Sequence, residues 1–236
     1  MELNELEKLV EEKAKAVSAK VDRYDDRHVI EFVMAHYVMR DNPRNMARNL
    51  EFFALSEPDV SIEWGDMGKF VGADKVRQFL NDQSKLKFYQ GSYRAHWLCN
   101  PMIEVAADGK TAKAVWLCPG AEMITDENGK AQALWNFVRF ANDFIKIDGM
   151  WYIWHLRMFY DVRCEFEKGW CEDYVKYLYA GRQPGAADEE PTWHFPVSPS
   201  FIQEDIPSCP MPYDTWTDDS WIFANQPQYA PLKREG

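Results

Sequence analysis

Basic clusters, long apolar runs, paired cysteines and cofactor motifs are all missing from this 236-residue chain. Acidic residues outnumber basic ones, 38 to 27, for a formal net charge of −11. A chain this acidic, without a basic patch, has little with which to neutralise phosphates, which argues against nucleic-acid partners. The same balance argues against docking on an anionic membrane. No apolar run approaches the roughly 20 residues that span a bilayer. The opening stretch MELNELEKLVEEK is charged and lacks the apolar core of a secretory signal. Cys99, Cys118, Cys164, Cys171 and Cys209 are odd in number and show no CxxC spacing. That pattern fits reduced thiols in a cytoplasm better than a disulfide framework or a zinc site. GxGxxG, P-loop and GxSxG strings are absent. His28, His36, His96, His155 and His194 form neither HExxH nor HxH. No nucleotide, flavin or metal cofactor is expected.

What the chain has in quantity is aromatic side chains: 10 Trp, 11 Tyr and 14 Phe. Large aromatics line ligand sites as well as cores. Hydrophobic residues make up 46% of the chain, enough for a sizeable core. The length suits one domain with extensions.

Leu3, Leu6, Val10, Ala14, Val17 and Val21 recur at three or four residues and predict a helix over residues 2–21, an arm that packs on the domain or on a neighbouring subunit. A second helix is expected to start at Asp25 or Asp26 and run to Arg40. A third follows from Pro43 to about Leu55. Val60–Trp64 reads as a short strand, the stretch with Gly65, Gly68 and Gly72 as a loop, and Ala73–Asp82 as a helix with Val76, Phe79 and Leu80 inward. Four long strands come next, Ser92–Val105, Thr111–Ile124, Ala131–Ile147 and Met150–Tyr160. Asp-Gly and Asn-Gly turns separate them, so neighbours run antiparallel. Pro101 and Pro119 predict a bulge or an unpaired edge in the first two. Gly169–Ala180 is expected to be helical. Nine of the 13 prolines fall after residue 180, together with Trp193, Trp216 and Trp221. A tail so aromatic is expected to lie extended over the domain or a partner rather than to be disordered. The resulting division is an arm at 1–24, an α+β domain at 25–180 and a tail at 181–236.

Several residues have the chemistry for a site. By strand alternation Arg94, His96, Leu98 and Asn100 share one face. A mid-strand histidine such as His96 can serve as general acid or base, or be a satisfied core residue. His155 and Arg157 share a face of the last strand. Arg157 can stabilise an oxyanion or make a structural ion pair. Asp41 ends the second helix, one turn after Tyr37 and five residues after His36. A carboxylate against an aromatic wall can act as a base, or simply cap the next turn.

The strings His36-Tyr37-Val38-Met39-Arg40-Asp41, Val60-Ser61-Ile62-Glu63-Trp64, Gly72-Ala73-Asp74-Lys75-Val76, Ala95-His96-Trp97-Leu98-Cys99-Asn100-Pro101-Met102-Ile103-Glu104 and Asp148-Gly149-Met150-Trp151-Tyr152-Ile153, in this order, resemble the SnoaL-like branch of the nuclear transport factor 2-like superfamily. They span roughly residues 25–160. The resemblance implies a cone-shaped open barrel, a curved and mostly antiparallel sheet wrapped around the N-terminal helices. Cofactor-independent scytalone dehydratase, bile-acid 7α-dehydratase, ketosteroid isomerase, polyketide cyclases and lyases of lignin-derived diaryl compounds share that fold, as do non-catalytic binding modules. Fold alone does not choose among them. Carried over, the resemblance implies Asp41 and His96 as the proton-moving pair, with Tyr37, Arg157 and His155 as further catalytic groups. His36, Trp64, Trp97, Asn100, Trp116, Trp135 and Arg139 would line the cavity. A second strand histidine of some dehydratases is replaced here by Trp116. The expected activity is a lyase, either a dehydratase or a retro-aldol, deformylating enzyme, acting on a hydrophobic aromatic or polycyclic molecule. An isomerase, a cyclase or a binding module is the alternative. The resembling enzymes are commonly trimers or dimers, so a homotrimer or homodimer is expected.

Overall fold

The computed structural model describes residues 3–65, 67–84, 91–125, 128–170, 187–189, 202 and 207–217. The first element is a single helix, α1, Leu3–Met39. Two helices were expected there. No Gly or Pro occurs before Pro43, so nothing stops the first helix at Asp25-Asp26, and a residue able to cap does so only where a helix begins. Asp26 instead accepts the Trp151 indole N–H at 2.7 Å and meets Lys146 Nζ at 2.6 Å. The two halves of α1 differ sharply. Every residue from Leu3 to Asp22 is exposed, whereas Ile30, Val33, Met34 and Tyr37 are buried at helical spacing. The expected third helix is a short 3-10 turn, Met46–Phe52.

Among the described residues seven strands follow, with a second helix between them. They are β1 (Ser61–Trp64), β2 (Gly68–Val71), α2 (Ala73–Ser84), β3 (Tyr93–His96), β4 (Cys99–Val105), β5 (Thr111–Thr125), β6 (Ala131–Ile147) and β7 (Met150–Glu165). The sheet order is β2-β1-β7-β6-β5-β3, with β4 beside β3 along the same edge of β5. All pairs are antiparallel except β1 with β7. The result is an α+β fold with a curved, mixed sheet that does not close. Strand β2 lies where a glycine-marked loop was expected. It is only four residues long, but Phe70 is buried in the core and its backbone pairs with β1. The first long strand is divided at Trp97-Leu98. Its pairing with β5 shifts register between Cys99 and Met102, around Pro101. Pro119 sits where the β5 edge changes partner from β4 to β3, and its carbonyl accepts from the Trp97 amide at 3.0 Å.

The main core lies between α1, α2 and the inner face of the sheet, with Trp64, Phe79, Trp116, Phe140 and Phe144 fully or almost fully buried. A smaller cluster, Val115, Ala141 and Phe159 with Met102, marks the outer face. Described parts of the tail pack on this same chain. Glu189 pairs with Lys69 on β2, and the Tyr213 and Asp214 carbonyls accept from Ala107 and Asp108. Of the expected Gly169–Ala180 helix, all but the first two residues lie outside the described residues. Among the described residues no helix is long and apolar enough to cross a membrane.

Candidate active site

The site forms where the end of α1 meets the inner face of β3, β5 and β6. Met34 and Tyr37 anchor the last turns of α1 against the sheet, and the chain leaves the helix at Arg40. That exit turns Asp41 inward, 2% exposed, instead of leaving it in solvent. On β3, alternation points Arg94 and His96 the same way. His96 Nδ1 lies 3.1 Å from Asp41 Oδ2, and Arg94 Nη1 lies 2.7 Å from Asp41 Oδ1. The carboxylate is thus gripped on both oxygens by side chains two residues apart on one strand.

Register extends the constellation across the sheet. His96 pairs with Gly120, Gly120 with Asn136, and Asn136 with Arg163, so these four form one row over β3, β5, β6 and β7. Asn136 Nδ2 lies 3.3 Å from His96 Nε2. Both ring nitrogens of His96 therefore have a side-chain neighbour. Gly120 is what lets the ring lie here. A Cβ at this position would collide with the Ala95 carbonyl, and it would stand 2.9 Å from the Asn136 carbonyl and 3.2 Å from His96 Cδ2. One row over, Arg94 pairs with Glu122, whose carboxylate meets Arg94 Nε at 3.2 Å. The Arg94 guanidinium also lies over the Trp64 ring, 5.7 Å from its centre.

Tyr37 completes the arrangement from the helix side. Its ring is fully buried, edge-on to Phe53 and Phe140, and Phe140 is in turn edge-on to His96. The Tyr37 hydroxyl is buried, with no hydrogen-bond partner among the described residues. Burial, with the Asp41 charge adding to it and Arg94 opposing, holds the phenol pKa well above its ordinary value. It is therefore a proton donor and never a base near neutrality. Asp41 goes the other way. Burial alone would raise its pKa. The Arg94 guanidinium and the His96 hydrogen bond outweigh burial, and the carboxyl is held below the usual aspartate range.

A family profile for the SnoaL-like domain matches residues 22–157, more than half of the chain. The chain belongs to the SnoaL-like family. No curated protein matches its sequence. Among solved structures, the fold of this SnoaL-like protein is similar to that of a putative scytalone dehydratase from Novosphingobium aromaticivorans, at 14% identity and a TM-score of 0.52, covering 64% of this chain and 93% of that one. A hexachlorocyclohexane dehydrochlorinase, LinA-type3, from Novosphingobium barchaimii gives 14% identity, a TM-score of 0.51, and coverage of 66% and 99%. A further LinA structure gives 14%, 0.53, and 64% and 96%. At this identity the likeness concerns the fold.

The SnoaL-like framework gathers some of the expected residues and scatters others. Asp41, His96 and Tyr37 come together, with Trp64 next to them through Arg94. Trp116 is buried on the inner face against Phe144. His36 points away from the buried face of α1, its ring against Phe32 and Phe52, so Tyr37 is the inward residue of the two.

His155 and Arg157 do not join the pair. On β7 the core residues are Leu156, Met158 and Tyr160, which puts His155 and Arg157 on the outer face with Phe159. There they converge on Asp143, at 2.8 Å and 2.9 Å, with Lys113 at 3.7 Å. Trp135 and Arg139 are also on the outer face, stacked on Phe166 and paired with Asp161 respectively. Trp97 is half exposed and Asn100 is exposed, because the break after His96 ends the alternation that would have kept them in step.

Arg94, Glu122 and Asn136 were missing from the expected set. Arg94 is visible in the sequence as the neighbour of His96 two residues back on the same face. Glu122 and Asn136 enter only through strand register, which no local pattern supplies. Among the described residues no group of three or more His, Cys, Asp or Glu side chains could hold a metal ion.

Proposed function

We propose that this protein is a lyase that works by general acid–base chemistry on a hydrophobic small molecule held against the inner face of the sheet. The observation that carries the reading is the buried contact between Asp41 and His96, at 3.1 Å, with Tyr37 beside it. Asp41 accepts the Nδ1–H of His96 and so leaves Nε2 as the basic nitrogen. Asn136 donates its amide N–H to that lone pair until substrate takes its place. Nε2 then removes a proton from the substrate, and Asp41 stabilises the imidazolium that results. In a dehydration the proton comes from carbon, the neighbouring C–O bond breaks, and the departing oxygen takes up a proton to leave as water. In a retro-aldol release it comes from a hydroxyl, a C–C bond breaks to free a one-carbon aldehyde, and the carbon left with the electron pair takes that proton back from the His96 imidazolium. Tyr37, held protonated, hydrogen-bonds the oxygen on which charge develops. Arg94 is the cation at this pair, in the place expected for Arg157 and His155.

The fold relatives include a putative scytalone dehydratase and dehydrochlorinases. Elimination is the chemistry those names share, and this favours the lyase reading over an isomerase or cyclase. The aromatic inner face favours a substrate with rings. A test is to incubate the protein with aromatic and polycyclic alcohols and follow loss of water or of a one-carbon fragment by mass. Wild type is expected to turn over at least one class. Asp41→Asn and His96→Ala, both folded, are expected to lose roughly 10²- to 10⁴-fold in rate. Undiminished rates in both variants would discard the mechanism. Ligand affinity that survives in them, without product from any form, would identify a binding module instead.

A further inference from the structure

The site does not use the exposed half of α1. Among the described residues none buries it, and every position from Leu3 to Asp22 is exposed. Its apolar stripe, Leu3, Leu6, Val10, Val17, Val21 and Tyr24, is between 42% and 73% exposed. With Ala14 included, six steps cover 21 residues, about 3.5 each. That is the repeat of a left-handed coiled coil and not of a helix lying on a globular surface.

We propose that this arm pairs with the arm of a second copy of the chain, antiparallel, about a two-fold axis near Lys13-Ala14. Three observations select that occupant and that direction. First, the stripe is its own mirror in sequence. Inverting positions about the axis exchanges Leu3 with Tyr24, Leu6 with Val21 and Val10 with Val17, and sets Ala14 against Lys13 at the centre. An isologous contact between identical helices requires this self-complementarity.

Second, the charges are complementary under the same inversion. Leu3–Glu12 holds four glutamates and one lysine, whereas Lys13–Tyr24 holds Lys13, Lys15, Lys20 and Arg23 against Asp22. Antiparallel pairing lays each acidic half on the partner's basic half and sets Glu7 opposite Lys20 and Glu12 opposite Lys15. Parallel pairing would lay acid on acid.

Third, the root of the arm offers a seat for the partner's first turn. A cleft of about 270 Å³ is lined there by Lys20, Arg23, Tyr24, Arg27, Glu104 and Val105. In the antiparallel arrangement Leu3 and Glu5 of the second copy arrive over this cleft, where Lys20 and Arg23 face the acidic turn while Arg27 holds Glu104 at 3.2 Å. An arm of 22 residues is about 33 Å long. The two domains then stand at opposite ends of the coil and do not collide.

Light scattering of the full chain tests the pairing. Wild type is expected to contain an even number of chains per particle. Val10→Glu/Val17→Glu, with unchanged circular dichroism and thermal unfolding of the domain, is expected to contain half that number. An odd number in wild type, or an unchanged mass in the folded double variant, overturns the proposal. Direction is read by oxidative cross-linking against the wild-type background of native thiols. Leu6→Cys/Val21→Cys is expected to link two chains almost completely, and neither single variant to link beyond that background. Self-linking of Leu6→Cys alone would mean parallel arms and would refute the arrangement.

Discussion

Arg94 Nη1 stands 2.7 Å from Asp41 Oδ1, and this guanidinium is the strongest influence opposing burial at that carboxylate. A fully buried carboxyl left alone would hold its proton to higher pH than a free aspartate. Arg94 reverses that, while its Nε meets Glu122 at 3.2 Å. One arginine therefore meets two buried acidic side chains, and the ionised state of Asp41 depends on Arg94 as well as on His96.

Arg94→Met tests that dependence. Asp41 loses its main stabilising charge but stays buried, so its pKa rises. The acid limb of the pH–rate profile is expected to move to higher pH, because the carboxylate form is now lost earlier as pH falls. Stability is expected to drop by about 3 kcal/mol, since two buried carboxylates are left without their cation. A merely structural arginine would lower stability and leave the acid limb in place, so the profile is the deciding measurement.

Tyr37→Phe should separate stability from activity. The hydroxyl is buried without a partner among the described residues, and such a group costs about 1–3 kcal/mol. Removing it is expected to leave the unfolding free energy unchanged or raised by up to about 1 kcal/mol. Turnover is expected to fall at least tenfold, because the proposed mechanism uses the hydroxyl to hydrogen-bond the substrate. Urea unfolding and steady-state rates on the same preparation check both halves. A stability loss with full activity would show the hydroxyl to be structural.

These two residues also show how much could be read from the sequence. The inward position of Tyr37 and the alternation that pairs Arg94 with His96 are local and follow from periodicity once a helix and a strand are assumed. Asp41 lies past the end of α1 at Met39, and the exit from the helix, not its period, turns it inward. His155 and Arg157 failed for a different reason. Their alternation was read correctly, but which face of β7 is inward depends on Leu156, Met158 and Tyr160 meeting the core, and all the residues around them are apolar enough to fit either side. A one-residue ambiguity of face moves every side chain across the sheet. Asn100 was lost to a strand break, and Asn136 was hidden because only the β5–β6 register brings it to His96.

On the outer face, Asp143 is expected to be a keystone of stability and not of chemistry. It is 1% exposed and faces His155, Arg157 and Lys113. Described tail residues lie close by. The Tyr213 ring lies 5.6 Å from Lys113 Nζ, and Trp216 packs on Trp154. Asp143→Asn takes the charge of Asp143 away from buried Arg157 and Lys113 and is expected to cost about 3–5 kcal/mol. The rate per folded molecule is expected to stay at the wild-type value, because the cluster and the Asp41–His96 pair lie on opposite faces. Loss of activity in molecules shown to be folded would mean that the two faces are coupled.

The same carboxylates fix how the fold responds to acid. For both Asp41 and Asp143 burial alone would raise the pKa, yet neighbouring cations and histidine hydrogen bonds outweigh it and hold each below the ordinary value. A carboxyl with a depressed folded pKa contributes stability that is complete above its unfolded pKa, near 4, and is lost as pH falls through the folded value. Stability from these two groups is therefore constant from neutrality to about pH 5 and then falls. Each adds a slope of at most about 1.4 kcal/mol per pH unit while its folded form stays ionised and its unfolded form is protonated. Asp143→Asn removes one of the two. Urea unfolding at pH 5, 4 and 3 should show the variant losing less stability than wild type over that interval, by up to about 1.4 kcal/mol per unit at the acid end. The starting deficit of the variant at neutral pH is expected to shrink by the same amount. Parallel curves for the two proteins would mean that Asp143 titrates as an ordinary aspartate, and that its three partners do not hold its charge.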